Sequence, residues 1–345
     1  MYGQVDIEVM DNDIKRNEVK VFLARFDLTF EDDLEYTIAL RLDGKLVGTG
    51  SFKDEVLRNI AIDEKYQGLG LNAIVVSELI KEQTKRGRLH YFVFTKPGKA
   101  HLFTGLGFKE IARVEPYVAL LETGLGSIDT FCDTINDEAA HLKPDRAALV
   151  VNCNPFTKGH RALIQRAAGE NEAVLVFVVN EDRSLFPFAD RFKLVKEGVA
   201  DLPNVVVVPS GKYIISNATF PSYFIRDEDK VIAQTRLDIT VFAQQIAPRL
   251  GIKRRYVGEE PYCPVTSAYN TAMFDILPKH GIEINIMKRI EVQGEIVSAS
   301  KVRDFIRNGD WEGIQRLVPE VTYRYLKLPS TQPIINKIKL SDTRH

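Results

Sequence analysis

Thr157, Lys158, Gly159 and His160 stand together in the stretch Asn154 to His160, NPFTKGH, between an apolar run, AALVVNC, and a helical pattern, RALIQRAAGE. A hydroxyl, a mobile cation, a glycine and an imidazole in four positions exceed what chain reversal needs. They suit transfer at an α-phosphate, where donors must stand where charge develops on the phosphorus oxygens. The turn also falls at the carboxyl end of a strand and opens a helix, the place where open α/β sheets bind ligands. Unpaired N–H groups and the partial positive charge of the helix start make a ready anion site there. Gly159 lets backbone approach a phosphate, and Asn154 and Phe156 are expected to line the nucleotide side of the same turn.

Downstream, Ser298-Ala299-Ser300-Lys301-Val302-Arg303 opens another helical pattern. Serine hydroxyls and helix N–H groups at such a start can hold a triphosphate, with Lys301 or Arg303 neutralising it. A third cluster, IAIDEKYQGLGLNAIVVSELIKE, sets a Gly-rich turn between a strand and an amphipathic helix. Gln67, Gly68 and Gly70 can present consecutive N–H groups to a pyrophosphate, with Leu71 and Asn72 opening the helix. Each cluster alone has a blander account: a capping histidine, an N-cap with a basic first turn, glycines before a core helix. The TKGH and SASKVR turns in order, each at a helix start, favour nucleotide chemistry.

The elements that must hold these residues follow from the pattern. At 345 residues the chain is long enough for two domains. From about residue 35 to 120, a hairpin at Asp43-Gly44, further strands and an amphipathic helix ending near Gly87 predict an α+β domain. From Arg146, the runs AALVVNC, AVLVFVV, NVVVVPS and RRYVGEE alternate with GHRALIQRAAGE, FADRFKLVKEGVAD and TVFAQQIAPRLG. Near-continuous apolar strands alternating with helices predict a doubly wound parallel sheet, followed by C-terminal helices from Val297 to Leu328. The boundaries expected are 1–125 for the first domain, 126–145 for a linker, 146–330 for the second domain and 331–345 for a tail.

Composition limits the partners. Lys+Arg 46 against Asp+Glu 47 gives a net charge of −1, so no nucleic-acid field is expected and any basic patch is local. The three cysteines, Cys132, Cys153 and Cys263, form no CxxC pair and fit a reducing compartment. The amino terminus is too charged for a signal peptide, and no apolar run approaches the ~20 residues that span a bilayer. The protein is expected in the cytoplasm, without a membrane partner. The six histidines are dispersed, with no HxH or HExxH spacing for a protein-held metal.

The TKGH turn resembles the T/H-x-G-H signature of the nucleotidylyltransferase superfamily, and SASKVR resembles its I-S-S-T-x-x-R signature. Here Val297 stands for the Ile, Ala299 for the second Ser and Ser300 for the Thr. The Gln67–Asn72 loop, together with AHLFTGLGFKEIA, is similar to the acyl-CoA loop of GNAT acyltransferases, with Asn72 in place of the last Gly/Ala. The pairing of both, with NEDRSLFPFADRFKLV and YVGEEPYCPVTSAYNTAM, resembles the citrate lyase ligase family over nearly the whole chain.

That resemblance implies a reaction. ATP and acetate form acetyl-adenylate, and a dephospho-CoA-derived thiol on the acyl-carrier subunit of citrate lyase takes the acetyl group. AMP and pyrophosphate leave, and Mg²⁺ accompanies the ATP. His160 is then expected to stabilise the α-phosphoryl group, Thr157 to orient phosphates, and Lys158 and Arg303 to neutralise the leaving pyrophosphate. Ser298, Ser300 and Lys301 hold the triphosphate, while Arg183 and Asn180 are candidates for the acetate. The Gln67, Gly68, Gly70, Leu71 and Asn72 loop is expected to bind the CoA-like arm. Two other readings stay open: an adenylyltransferase acting on a phosphopantetheine-like acceptor, and a non-catalytic nucleotide or acetyl-CoA sensor.

Overall fold

A computed structural model describes residues 5–180, 184–214, 220–221, 223–259 and 264–340, with backbone alone at 264–267. Arg183, one of the two acetate candidates, and Cys263 lie outside the described residues. The chain divides into two compact units, residues 1–130 with 220–237, and residues 131–219 with 238–345.

The first unit is a seven-stranded sheet. Its strands are β1 (Val5–Val9), β2 (Tyr36–Leu42), β3 (Lys45–Lys53), β4 (Val56–Ile62), β5 (His90–Thr95), β6 (Lys109–Val114) and β7 (Val118–Gly124), in the order β1-β2-β3-β4-β5-β7-β6. Every junction is antiparallel except β4 with β5, which pair in parallel only at Val56–Phe92 and Leu57–Val93. The helix Leu71–Lys85 turns Val75, Val76 and Leu79 onto one face of the sheet. The helix Asp13–Ala24 turns Val19, Phe22 and Leu23 onto the other, with Met10, Phe30 and Leu34. Both helices obey the three-to-four-residue apolar spacing that lets one stripe meet a sheet. This amino-terminal pair, β1 and its helix, went unread in the sequence.

Part of the second half of the chain completes this unit. The Phe220 ring stands edge-on to Phe94 at 5.8 Å. The Tyr223 hydroxyl donates to the Phe94 carbonyl at 3.3 Å, and the Thr29 N–H donates to the Tyr223 carbonyl at 2.8 Å.

The second unit is built on a five-stranded sheet: β8 (Arg146–Val151), β9 (Val174–Val178), β10 (Val205–Pro209), β11 (Ile252–Gly258) and β12 (Glu283–Met287). Their order is β10-β9-β8-β11-β12 and every pairing is parallel. The doubly wound sheet expected from the sequence is therefore present, with β8 at its centre and a fifth strand at the edge. Ala147, Leu149 and Val151 of β8 pack with Leu163, Ile164 and Ala167 of the helix Lys158–Glu170, and with Leu194 and Val195 of the helix Phe188–Gly198. Phe177 of β9 points the other way, edge-on to Phe242 of the helical run that ends at Leu250. Helices on both faces are what near-continuous apolar strands require.

The C-terminal helices Ala299–Asn308, Trp311–Leu317 and Glu320–Leu326 form their own core with Phe186 and Val297. Residues expected as a tail join it. Gln332–Leu340 is a helix whose Ile335 and Ile338 are buried. No helix among the described residues is long and apolar enough to cross a membrane.

Candidate active site

The sheet order places β8 and β11 side by side while their helices leave in opposite directions along the sheet. A crevice opens at such a reversal, outside the carboxyl ends of the strands. The residues Asn152 to Thr157 leave β8 at that point through a cis Asn154–Pro155 bond, with Cys153 in the left-handed region at φ +54°. A non-glycine residue there is strained by roughly 1 kcal/mol, a strain that persists only where surrounding structure holds it.

Thr157 is the N-cap of Lys158–Glu170, and His160 closes a reciprocal cap with it. The His160 N–H donates to Thr157 Oγ1 at 3.3 Å, and the Thr157 N–H donates to His160 Nδ1 at 3.0 Å. Thr157 Oγ1 also lies 2.9 Å from Nδ1. A backbone N–H can only donate, so Nδ1 accepts and the ring proton sits on Nε2. Burial, and then the positive charge of Arg289, lower the imidazole pKa from 6.5 to about 4. The ring is therefore a neutral donor at pH 7, tethered at one nitrogen and presenting N–H at the other.

The second serine-rich turn meets the first. Ser298 caps Ala299–Asn308 by accepting from the Lys301 N–H at 3.2 Å, and its hydroxyl lies 3.1 Å from that of Ser300. A Cβ on Gly159 would stand 3.3 Å from the Val297 carbonyl oxygen, so this glycine makes room for the neighbouring turn. Arg303 Nη1 donates to the Asn154 carbonyl at 2.6 Å, fastening the second helix to the cis-proline turn. Two helix starts, each with a small hydroxyl cap, thus adjoin, and their partial charges add where an anion would lie.

Several expected roles change. Phe156, expected at the ATP, is fully buried in the core against Gly198, because an apolar ring anchors the turn from beneath. Asn154 is buried too, its Oδ1 accepting from the Phe186 N–H at 3.1 Å. Arg303, expected to meet the leaving group, is 5% exposed, and its Nη1 holds the Asn154 carbonyl. Lys301 pairs with Glu295 at 3.2 Å, and Lys158 Nζ donates to the Gln315 carbonyl at 3.3 Å. Asn180, the described acetate candidate, lies beyond β9 with its Oδ1 accepting from the Ser210 hydroxyl at 3.2 Å and the Gly211 N–H at 3.0 Å. Its backbone N–H donates to the same hydroxyl.

Two site residues escaped the sequence reading. Arg289 follows β12 and donates from Nε to the Glu259 carbonyl at 3.1 Å. Its only sequence signal is a Lys-Arg pair closing an exposed, alternating strand, EINIM. Arg191 is fully buried in the helix Phe188–Gly198. Its Nη1 lies 2.8 Å from the Asn152 carbonyl, from Asn152 Oδ1 and from the Val179 carbonyl, while Nε donates to the Phe186 carbonyl. In the sequence this arginine is one of many helical cations.

In the first unit, the Gly-rich loop follows β4. Gly68 and Gly70 take φ of +80° and +75°, and Gly70 is the N-cap of Leu71–Lys85 without a side-chain cap. Gln67 Nε2 donates back to the Ile62 carbonyl at 3.2 Å, and the Leu71 side chain is buried. The loop thus keeps open N–H groups at a helix start, with Asn72 partly buried beside it.

Residues 146–326 match the family described as the citrate lyase ligase C-terminal domain. The citrate (pro-3S)-lyase ligase of Klebsiella pneumoniae is 37% identical over 327 residues, covering 93% of this chain and 95% of that protein. That of Escherichia coli K12 is 35% identical over 319 residues, covering 91% and 90%. Among solved structures, the ribosomal-protein-S18-alanine N-acetyltransferase of Escherichia coli is 18% identical, with a TM-score of 0.29, over 36% of this chain and 96% of that one.

Proposed function

The chain belongs to the citrate lyase ligase family, and from that premise we propose that this ligase activates acetate with ATP and passes the acetyl group to a thiol of citrate lyase. A carboxylate oxygen of acetate attacks the α-phosphorus of ATP, the bond to the bridging oxygen breaks, and pyrophosphate leaves. The thiol of a dephospho-CoA-derived arm on the acyl-carrier subunit then attacks the acetyl carbon. AMP leaves, and the thiol proton passes to solvent. A cytoplasmic location belongs to the same proposal.

The observation that carries the reading is the tethered imidazole. With Nδ1 accepting from the Thr157 N–H, His160 offers Nε2–H as a fixed, neutral donor beside two helix starts. Such a donor needs no reorganisation when charge builds on an α-phosphoryl oxygen, and losing one typically costs ~10²- to 10³-fold in rate. The serine caps hold the triphosphate through backbone N–H groups, and Lys158 and Arg289 supply positive charge. Lys301 joins them when it exchanges Glu295 for phosphate. Mg²⁺ is proposed only as the counterion the triphosphate carries. The described residues contain no cluster of three His, Cys, Asp or Glu able to hold a metal, and no step is assigned to one. The Gly68–Gly70 loop takes the pyrophosphate of the CoA-like arm.

Exchange of labelled pyrophosphate into ATP tests this directly. Wild type should show exchange that requires acetate, and His160→Ala should lose it. Exchange that appears only with a phosphopantetheine-like acceptor makes the protein an adenylyltransferase instead. ATP binding without any exchange makes it a sensor.

A further inference from the structure

Asn152, the first residue after β8, has no role in the reaction as described so far. Its side chain is exposed at the carboxyl end of the central strand, yet its orientation is tightly fixed. Asn152 Oδ1 accepts from Arg191 Nη1 at 2.8 Å and from the Ser184 hydroxyl at 3.2 Å, which uses both carbonyl lone pairs. The same Nη1 holds the Asn152 backbone carbonyl, so main chain and side chain are gripped by one fully buried guanidinium. With the oxygen fully used, the amide can only donate, and its NH₂ has no protein partner among the described residues.

The position of that donor matters. The phosphate-binding caps reach the β8 turn from the Val297–Arg303 segment, which packs against Gly159 and holds the Asn154 carbonyl. Arg191 reaches Asn152 and the carbonyl of Val179, the residue that follows β9. The turn that carries the caps suited to a triphosphate thus begins with a neutral, preoriented amide donor, one residue beyond the end of β8 and eight before His160.

We propose that the Asn152 amide receives the carboxylate of the acid substrate and presents it to the α-phosphorus, with Arg191 as its positioning residue. The proposal rests on the acetate-activating reading above. A neutral donor fits this task, since it orients an anion without neutralising the negative charge the nucleophile needs for attack.

Asn152→Asp and Asn152→Ala, assayed by acetate-dependent pyrophosphate exchange in the full chain, separate this role from a structural one. The aspartate keeps both acceptor bonds to Arg191 and Ser184 but replaces the donor by a negative oxygen. The alanine loses donor and acceptor together. If the amide binds the carboxylate, Asn152→Asp raises the KM for acetate about 100-fold or more and Asn152→Ala about 10- to 100-fold, as for lost bonds to a charged group. The KM for ATP should stay within about threefold in both. If Asn152 serves only to seat Arg191, the order reverses: Asn152→Asp behaves as wild type and Asn152→Ala is impaired. That reversal, or an unchanged acetate KM in both variants, overturns the proposal while wild-type exchange leaves the parent reading standing. Absence of acetate-dependent exchange in wild type overturns both.

Discussion

His160 should remain neutral, with its proton on Nε2, far below the pH at which a free histidine charges. The cause is structural: the ring is partly buried, Arg289 opposes a second positive charge, and Nδ1 is already an acceptor for the Thr157 N–H. With the pKa lowered from 6.5 to about 4, the imidazolium fraction at pH 7 is about one in a thousand. The gap of roughly 2.5 pH units, at 1.36 kcal/mol for each, corresponds to about 3 kcal/mol between the two protonation states. Because the folded value lies below the unfolded one, the unfolded chain binds the extra proton. The stability from this group is therefore complete above pH 6.5 and is lost as pH falls through 6.5 toward 4. Long-range proton–nitrogen correlation spectra of the imidazoles report tautomer and titration together, with the His160 signals assigned by their loss in His160→Ala. The expected outcome is an Nε2–H ring that titrates near 4, and a higher midpoint in Arg289→Gln. A midpoint near 6.5, or a proton on Nδ1, refutes the argument that the cap with Thr157 sets the donor.

Arg303→Met removes a charged hydrogen bond to the Asn154 carbonyl and should cost ~1.5–3 kcal/mol in urea unfolding while lowering pyrophosphate exchange, with partial recovery in Arg303→Lys. Gly198→Ala places a Cβ 2.3 Å from Phe156 Cε1, and the overpacking should destabilise the fold by ~1–3 kcal/mol in thermal or urea melts. Gly70→Val meets no neighbour within 4 Å but forces a branched residue to φ +75°. Acetate-dependent exchange should be unchanged and transfer to the lyase thiol reduced; unimpaired transfer rejects the grip on the CoA-like arm.

The second unit was the more legible half. AALVVNC, AVLVFVV, NVVVVPS and RRYVGEE each became a strand within a residue or two, because buried parallel strands are apolar at every position and stand out from amphipathic helices. EINIM did not, because as an edge strand it alternates charged and apolar residues and sits partly in solvent. The helix start at Thr157 was readable from its spacing, since a cap is a local event. What Arg303, Phe156 and Arg191 do was not. Whether an arginine faces solvent or a carbonyl 149 residues away is decided by packing, and a Phe beside a phosphate turn gives no sign that it points downward. The glycine at 159 was expected to admit a phosphate; the structure gives it a second use, room for the Val297 carbonyl.

Residues 220–237 add a different consequence. They lie deep within the stretch matched to the C-terminal family domain, yet they pack with the first unit, so the chain crosses between the units three times. The two halves are therefore not interchangeable modules. A fragment ending before residue 146 leaves the Phe94 ring and carbonyl without Phe220 and the Tyr223 hydroxyl, and the remaining piece carries those aromatics without the Phe94 they meet. Grafting a relative's amino-terminal domain onto this ligase means carrying across the matching 220–237 strip as well, and natural recombination near the 130/131 crossing meets the same requirement.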